Sequence, residues 1–326
     1  MKKINYKSFS SISLITLLTS VASTLFSLYI LRLHISEMGI EIRGKFVSII
    51  VELGIITSFI KFGTSQSIMY YLKKTEKAKL WTNFIAVLLI QSFFLLLICI
   101  LIFILDLGVF FNDLSLYLFS TLIISSFIYS SISWFVFLSK NIKIYFFQIM
   151  IYILTYFTAL NLILKYNILD LESAFFALIF AQISSTVYLF ISSSIFNFKM
   201  IDKVFIKEIF SNGLKNLGWS YLKDMLYKID IIIFSRILDS KEFGYYTIIQ
   251  NLSQFAWTFT DPLVSAYSKY VIKFNLSSIS RFYNRTLKSF LIIFLLIITP
   301  VTILFSNQVF NFISGEELNN YRNMII

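Results

Sequence analysis

The sequence predicts an all-α, polytopic membrane protein, and three observations predict it. Hydrophobic residues make up 58% of the 326 and charged residues 14%, with a mean hydropathy of +0.80. A soluble domain runs at about 45–50% apolar and about 25% charged. Apolar runs of the roughly 20 residues that a helix needs to cross a bilayer recur along the chain. Two prolines and nine glycines are too few to break them often. A membrane barrel would instead show roughly ten-residue segments of alternating polarity. Lastly, lysine and arginine gather between these runs in alternate loops, the pattern of charge that orients membrane proteins.

In chain order the spans fall near 11–33, 45–70, 80–105, 114–138, 144–164, 171–196, 214–236, 244–271 and 286–308. Lys2, Lys3 and Lys7 precede the first, which runs unbroken to Leu33. That is too long for a cleaved signal peptide, so it reads as a transmembrane helix. One set of loops holds Lys2, Lys3 and Lys7; Lys73, Lys74, Lys77 and Lys79; Lys140 and Lys143; Lys199, Lys203, Lys207 and Lys215; and five more between 269 and 288. Against these 18, the opposite loops hold 6 and are rich in Asp and Glu, so the N-terminus is expected in the cytoplasm. No loop is long enough for a soluble domain. The longest, around 197–213, alternates apolar and charged residues from Met200 to Phe210 and predicts a short amphipathic helix on the membrane surface.

Spans two and eight repeat at an offset of 200. Gly44 and Gly244 open them, and Ile49, Phe59, Ser65, Tyr70 and Lys73 match Ile249, Phe259, Ser265, Tyr270 and Lys273. Lys61 falls opposite Asp261. If spans one and two correspond to seven and eight, the unit is six helices, and two such units share one orientation about an axis along the membrane normal. The expected domains are a six-helix bundle over 1–197, a cytoplasmic linker over 198–213, and a partial second bundle over 214–326, related to the first by a pseudo-two-fold axis. About nine spans of an expected twelve or so are present, so the chain reads as a C-terminally shortened form.

Charge inside the apolar runs marks the candidate site. Gly218 to Arg236 carries Lys223, Asp224, Lys228 and Asp230 between two spans. A charge at membrane depth costs roughly 2.5–3.5 kcal/mol on insertion scales, and so faces a polar cavity or a partner. That points to a transporter. On one continuous helix, Lys223, Tyr227 and Asp230 would share a line, with Asp224 and Lys228 beside it. Asp224 and Lys228, four apart, are spaced to pair. Two readings stand: these groups line a cavity, or they pair between helices. Glu52 and Lys61, nine apart, point to opposite sides of an ideal helix, and Lys61 either faces the cavity or snorkels to the surface. Asp261 precedes Pro262, where a proline bends a helix, and either binds a coupling ion or pairs with a lysine. Arg32 and Arg236 stand at matching span ends, as gates, phosphate ligands or anchors. His34 is expected at the interface and Cys99 in packing.

Several classes are excluded. The net charge of +11 sits in loops beside spans, which argues against nucleic acid as a partner. No metal cluster, nucleophile triad, P-loop or dinucleotide fingerprint is present, so no enzyme activity, cofactor or metal is expected.

The pattern Lys228-Ile-Asp230, then Ser235-Arg236, Phe243-Gly244-Tyr245-Tyr246 and Asn251, resembles the seventh-to-eighth helix region of O-antigen flippases. These are polysaccharide-biosynthesis exporters of the multidrug, oligosaccharidyl-lipid and polysaccharide superfamily. Leu31-Arg32 and Arg43-Gly44-Lys45-Phe46 are similar to that family's first loop. The resemblance implies two six-helix bundles, alternating access, and movement of an undecaprenyl-diphosphate-linked oligosaccharide across the bacterial inner membrane. It serves O-antigen, lipopolysaccharide or capsule assembly, beside membrane lipids and polymerase or chain-length partners. Lys223, Lys228, Lys61, Arg32 and Arg236 would then bind substrate, because lysine meets phosphate as a point charge and arginine can grip it bidentately. Asp224, Asp230, Asp261 and Glu52 would couple an ion or pair structurally. The competing readings are an ion-coupled multidrug or cation antiporter of the same superfamily, and a membrane polysaccharide polymerase.

Overall fold

Long apolar runs fold as helix because a lipid-exposed backbone must satisfy its own hydrogen bonds. The computed structural model describes residues 6–72, 74–104, 114–139, 142–166, 169–192, 199–226 and 228–253. These form α1 (Tyr6–Ile60), α2 (Thr64–Tyr71), α3 (Lys77–Ile104), α4 (Leu116–Ser139), α5 (Ile142–Tyr166), α6 (Leu171–Ser192), α7 (Lys203–Leu226), α8 (Ile229–Ile237) and α9 (Ser240–Ser253), with no strand among the described residues. Five helices are long and apolar enough to cross a membrane: α1 from Ile15, and α3 to α6. The protein is an all-α polytopic membrane protein.

The ends of α3 to α6 lie within a few residues of the spans expected from sequence. Elsewhere the structure differs in three places. The loop expected over 34–44 is helical apart from Gly39, whose φ of 81° and ψ of 164° interrupt α1. That backbone region is open to glycine and closed to residues with a β-carbon. The expected span 45–70 is cut at 61–63, and the expected span 214–236 is cut at 227–228. Residues 203–213, expected as linker, are the first half of α7. Everything of spans eight and nine beyond residue 253 lies outside the described residues.

By contact the chain divides into two units, 1–40 with 244–326, and 41–243. In the first, Leu31, Leu33, His34 and Met38 are buried along α1, so His34 is a packed residue rather than an interfacial one. In the second, α4 packs on α3, α5 and α6, and α6 packs on α5. Its interior is aromatic: Phe84 stacks on Phe135 with ring centres 4.9 Å apart, and Phe46 on Phe175 at 4.7 Å. Trp81 packs against Phe135 beside the first pair.

Polarity in this bundle is reversed from that of a soluble one. Leu89, Phe93, Phe94, Leu101 and Phe103 cover the outside of α3, while Gln91 and Cys99 on the same helix are buried. Lipid tails are as apolar as leucine, so helices gain by placing small and polar residues between them. Gln182 of α6 does this, accepting hydrogen bonds from Ser125 (2.7 Å) and Ser126 (3.1 Å) of α4. Ser185 donates across to the Gln148 carbonyl of α5.

Candidate functional site

The site is a seam between two broken helices. The first break follows Ile60. Phe62 and Gly63 both take positive φ, 46° and 64°, so α1 stops and α2 restarts at Thr64. Breaking a helix inside a bundle strands carbonyls that water cannot reach. Gln91 of α3, fully buried, donates to two of them, Ile60 O at 2.9 Å and Lys61 O at 3.1 Å. The Thr64 hydroxyl also donates to Lys61 O, at 2.7 Å. The second break separates α7 from α8. Lys228 there has φ −128° and ψ −7°, and its N–H reaches only three residues back, to Met225 O.

The two broken helices run antiparallel. Tyr71 of α2 meets Phe205 of α7 edge to face at 4.9 Å, donates to Glu208, and accepts from Asn212 at 2.6 Å. Ser67 donates to Ile209 O at 2.9 Å. Phe62 meets Phe210, and Phe59 meets Tyr221. At the crossing, Gly63 and Gly213 bring backbone against backbone, each filling the space of the other's missing β-carbon. Continuing along α1, the Lys228 ammonium rests on Gly54, in the space a β-carbon there would occupy. Beyond it, the charge of Arg236 acts on Glu52. Ser48 donates to Glu52 Oε1 at 3.5 Å, the outer limit of a hydrogen bond, and Glu52 Oε2 has no hydrogen-bond partner among the described residues.

The seam thus gathers four of the sequence-predicted residues: Glu52, Lys61, Lys228 and Arg236. Asp230, also in this unit, stands in the first turn of α8, and Arg236 in its last. Those placements complement the helix dipole, a structural role that needs no substrate. The single polar face expected over 218–236 does not form, because the break at 227–228 separates Lys223 and Asp224 on α7 from Asp230 on α8. The i, i+4 geometry expected for Asp224 and Lys228 is lost for the same reason. Lys61 sits in the turn after α1, so the ideal-helix argument placing it opposite Glu52 does not apply. Arg32 is an exposed residue of the other unit. The side chains of Lys223 and Asp224, and all of Asp261, lie outside the described residues.

Sequence reasoning missed Gly54, Gly63, Gly213 and Gln91. The glycines were visible as rare breakers in apolar runs, a sign of close backbone approach. Gln91, the one polar amide in the centre of an apolar run, was the visible sign of a partner in the membrane.

No protein-family model matches the sequence, and no curated protein sequence matches it. Solved structures do. A MATE multidrug transporter, DinF-BH, determined in complex with a ligand, aligns with a TM-score of 0.69 at 14% identity over 99% of this chain and 79% of that one. A second chain, described only as "protein A", aligns with a TM-score of 0.61 at 13% identity over 82% of this chain and 64% of that one. The chain thus spans just under two thirds of that second protein's length. At this identity the likeness is one of fold.

Proposed function

We propose that this chain belongs to a membrane transporter that moves a lipid-linked oligosaccharide across the bilayer by alternating access. One observation carries the reading: each of the two helix breaks in the seam holds a lysine, Lys61 at the first and Lys228 at the second. Discontinuous helices at membrane depth are where transporters of several folds bind substrate. Lysine at such a break offers a mobile cation to a diphosphate, and the polar glycan needs the hydrated path that buried charge implies. The flippase resemblance around Lys228 and Asp230 supports the same substrate class, and the fold shared with a MATE transporter supports the transport class.

A second reading has its own support. Glu52 lies in the field of Arg236 with one oxygen lacking a hydrogen-bond partner, an arrangement that suits ion-coupled efflux of a cation, and the structural neighbour is a multidrug transporter.

The test is complementation of a bacterium lacking its O-antigen exporter, scored by surface polysaccharide. The expected result is restored polysaccharide that Lys61→Ala and Lys228→Ala each reduce, on the order of ten- to a hundred-fold for loss of one charge-assisted contact. Efflux of a cationic dye that Glu52→Gln abolishes, with no polysaccharide, would replace this reading with the antiporter.

A further inference from the structure

Three loops far apart in sequence meet at one end of the second unit. Lys77, opening α3, donates to Ser139 O at the end of α4 (3.2 Å). Lys199 pairs with Glu76, and its backbone N–H donates to Thr82. The backbone N–H of Asp202 donates to Asn83 Oδ1 at 2.8 Å, and its carboxylate pairs with Lys79 at 2.7 Å. That ion pair holds the Asp202 carboxyl below its usual range. These contacts pin residues 199–204 beside the first turns of a membrane-spanning helix, at the level where membrane meets solution.

What those residues present is not what a soluble loop presents. Met200 is 90% exposed, Ile201 60% and Val204 70%, while Lys199 and Lys203 alternate with them. An open cavity of about 470 Å³ is lined by this segment and by Lys79. Together the segments 74–79 and 199–208 carry six lysines and three acids. Lys203 lines the cavity and makes none of the ion pairs above.

We propose that residues 199–204 form a lipid-binding finger. The apolar triad enters the boundary of the acyl chains, and the lysine-lined cavity takes the phosphate of an anionic membrane lipid. Burial of the triad explains its exposure in the protein alone, and a basic pocket at the end of transmembrane helices matches an anionic headgroup. A neutral lipid would leave the excess cations unmatched. Because the finger leads directly into α7, lipid bound there fixes the membrane end of the helix that carries the seam with α2.

The single cysteine, Cys99, is buried, so Cys99→Ser/Met200→Cys provides one labelling site for a bimane probe. The labelled full chain is placed in nanodiscs of phosphatidylcholine, with or without phosphatidylglycerol, and quenched with acrylamide. The expected result is protection of the probe only where phosphatidylglycerol is present, lost about five-fold in affinity with Lys203→Gln and weakened by high salt, which screens the lysines without altering the chain. Inorganic phosphate in phosphatidylcholine discs should give no protection. Equal quenching in both bilayers, protection that survives both Lys203→Gln and salt, or protection by phosphate alone would each overturn the proposal.

Discussion

At Gly63 the backbone takes a left-handed conformation and also lies against the backbone of Gly213. Two costs therefore fall on any side chain there: roughly 1–2 kcal/mol for the conformation, and a clash with a carbonyl that cannot rotate away. Gly63→Ala should lower the thermal midpoint of the detergent-solubilised protein. Gly218 is the control, since a β-carbon there meets nothing within 4 Å. In the helical setting of α7, Gly218→Ala should raise stability by about 0.5–1 kcal/mol. Equal shifts in the two variants would argue against the close crossing. Gly54 differs from both, because what fills its β-carbon space is the far end of a lysine. Alanine there displaces an ammonium group and leaves the backbone in place.

Among the elements, the α1–α2 break depends on a residue in neither helix. Gln91→Leu keeps the volume in α3 and removes the donor to Ile60 O and Lys61 O. Leaving a buried carbonyl unsatisfied costs about 1–3 kcal/mol. Thr64 still serves Lys61 O, so the loss should fall at Ile60 and appear as reduced thermal stability and faster amide exchange around residues 60–64. Unchanged exchange there would show that the break holds without Gln91. How much of this was legible in the sequence follows the chemistry of each element. Helices α3 to α6 are bounded by charged or polar residues on runs of apolar ones, and their ends were readable. The break at 61–63 has one sequence mark, Gly63, and its positive φ at Phe62 has none. The break at 227–228 lies in Leu-Tyr-Lys-Ile, with no glycine or proline, so a continuous helix and a continuous polar face were the natural expectations. Gly39 misled in the opposite sense: a whole loop was expected where one residue sufficed.

For the whole molecule, buried polar groups, exposed aliphatic ones and a shared fold with a MATE transporter agree on a membrane-embedded helical protein. The lysines of residues 77–79 and 199–203 meet at one end of the second unit, as the alternation of charge by loop implied. The site was partly legible: Glu52, Lys61, Lys228 and Arg236 drew attention as charges in apolar runs. Their meeting on one seam was hidden, because it depends on helix breaks and on a glycine that seats a lysine from a distant helix. The central claim is that Lys228, seated on Gly54, handles an anionic substrate. The most direct measurement is movement of a fluorescent polyprenyl-diphosphate oligosaccharide across proteoliposomes by the unmodified chain, Gly54→Ala, Lys228→Ala and Gly218→Ala. The account predicts that the first two variants slow movement while Gly218→Ala does not. Gly54→Ala should do so without loss of thermal stability. Movement by Lys228→Ala at the unmodified rate would contradict it.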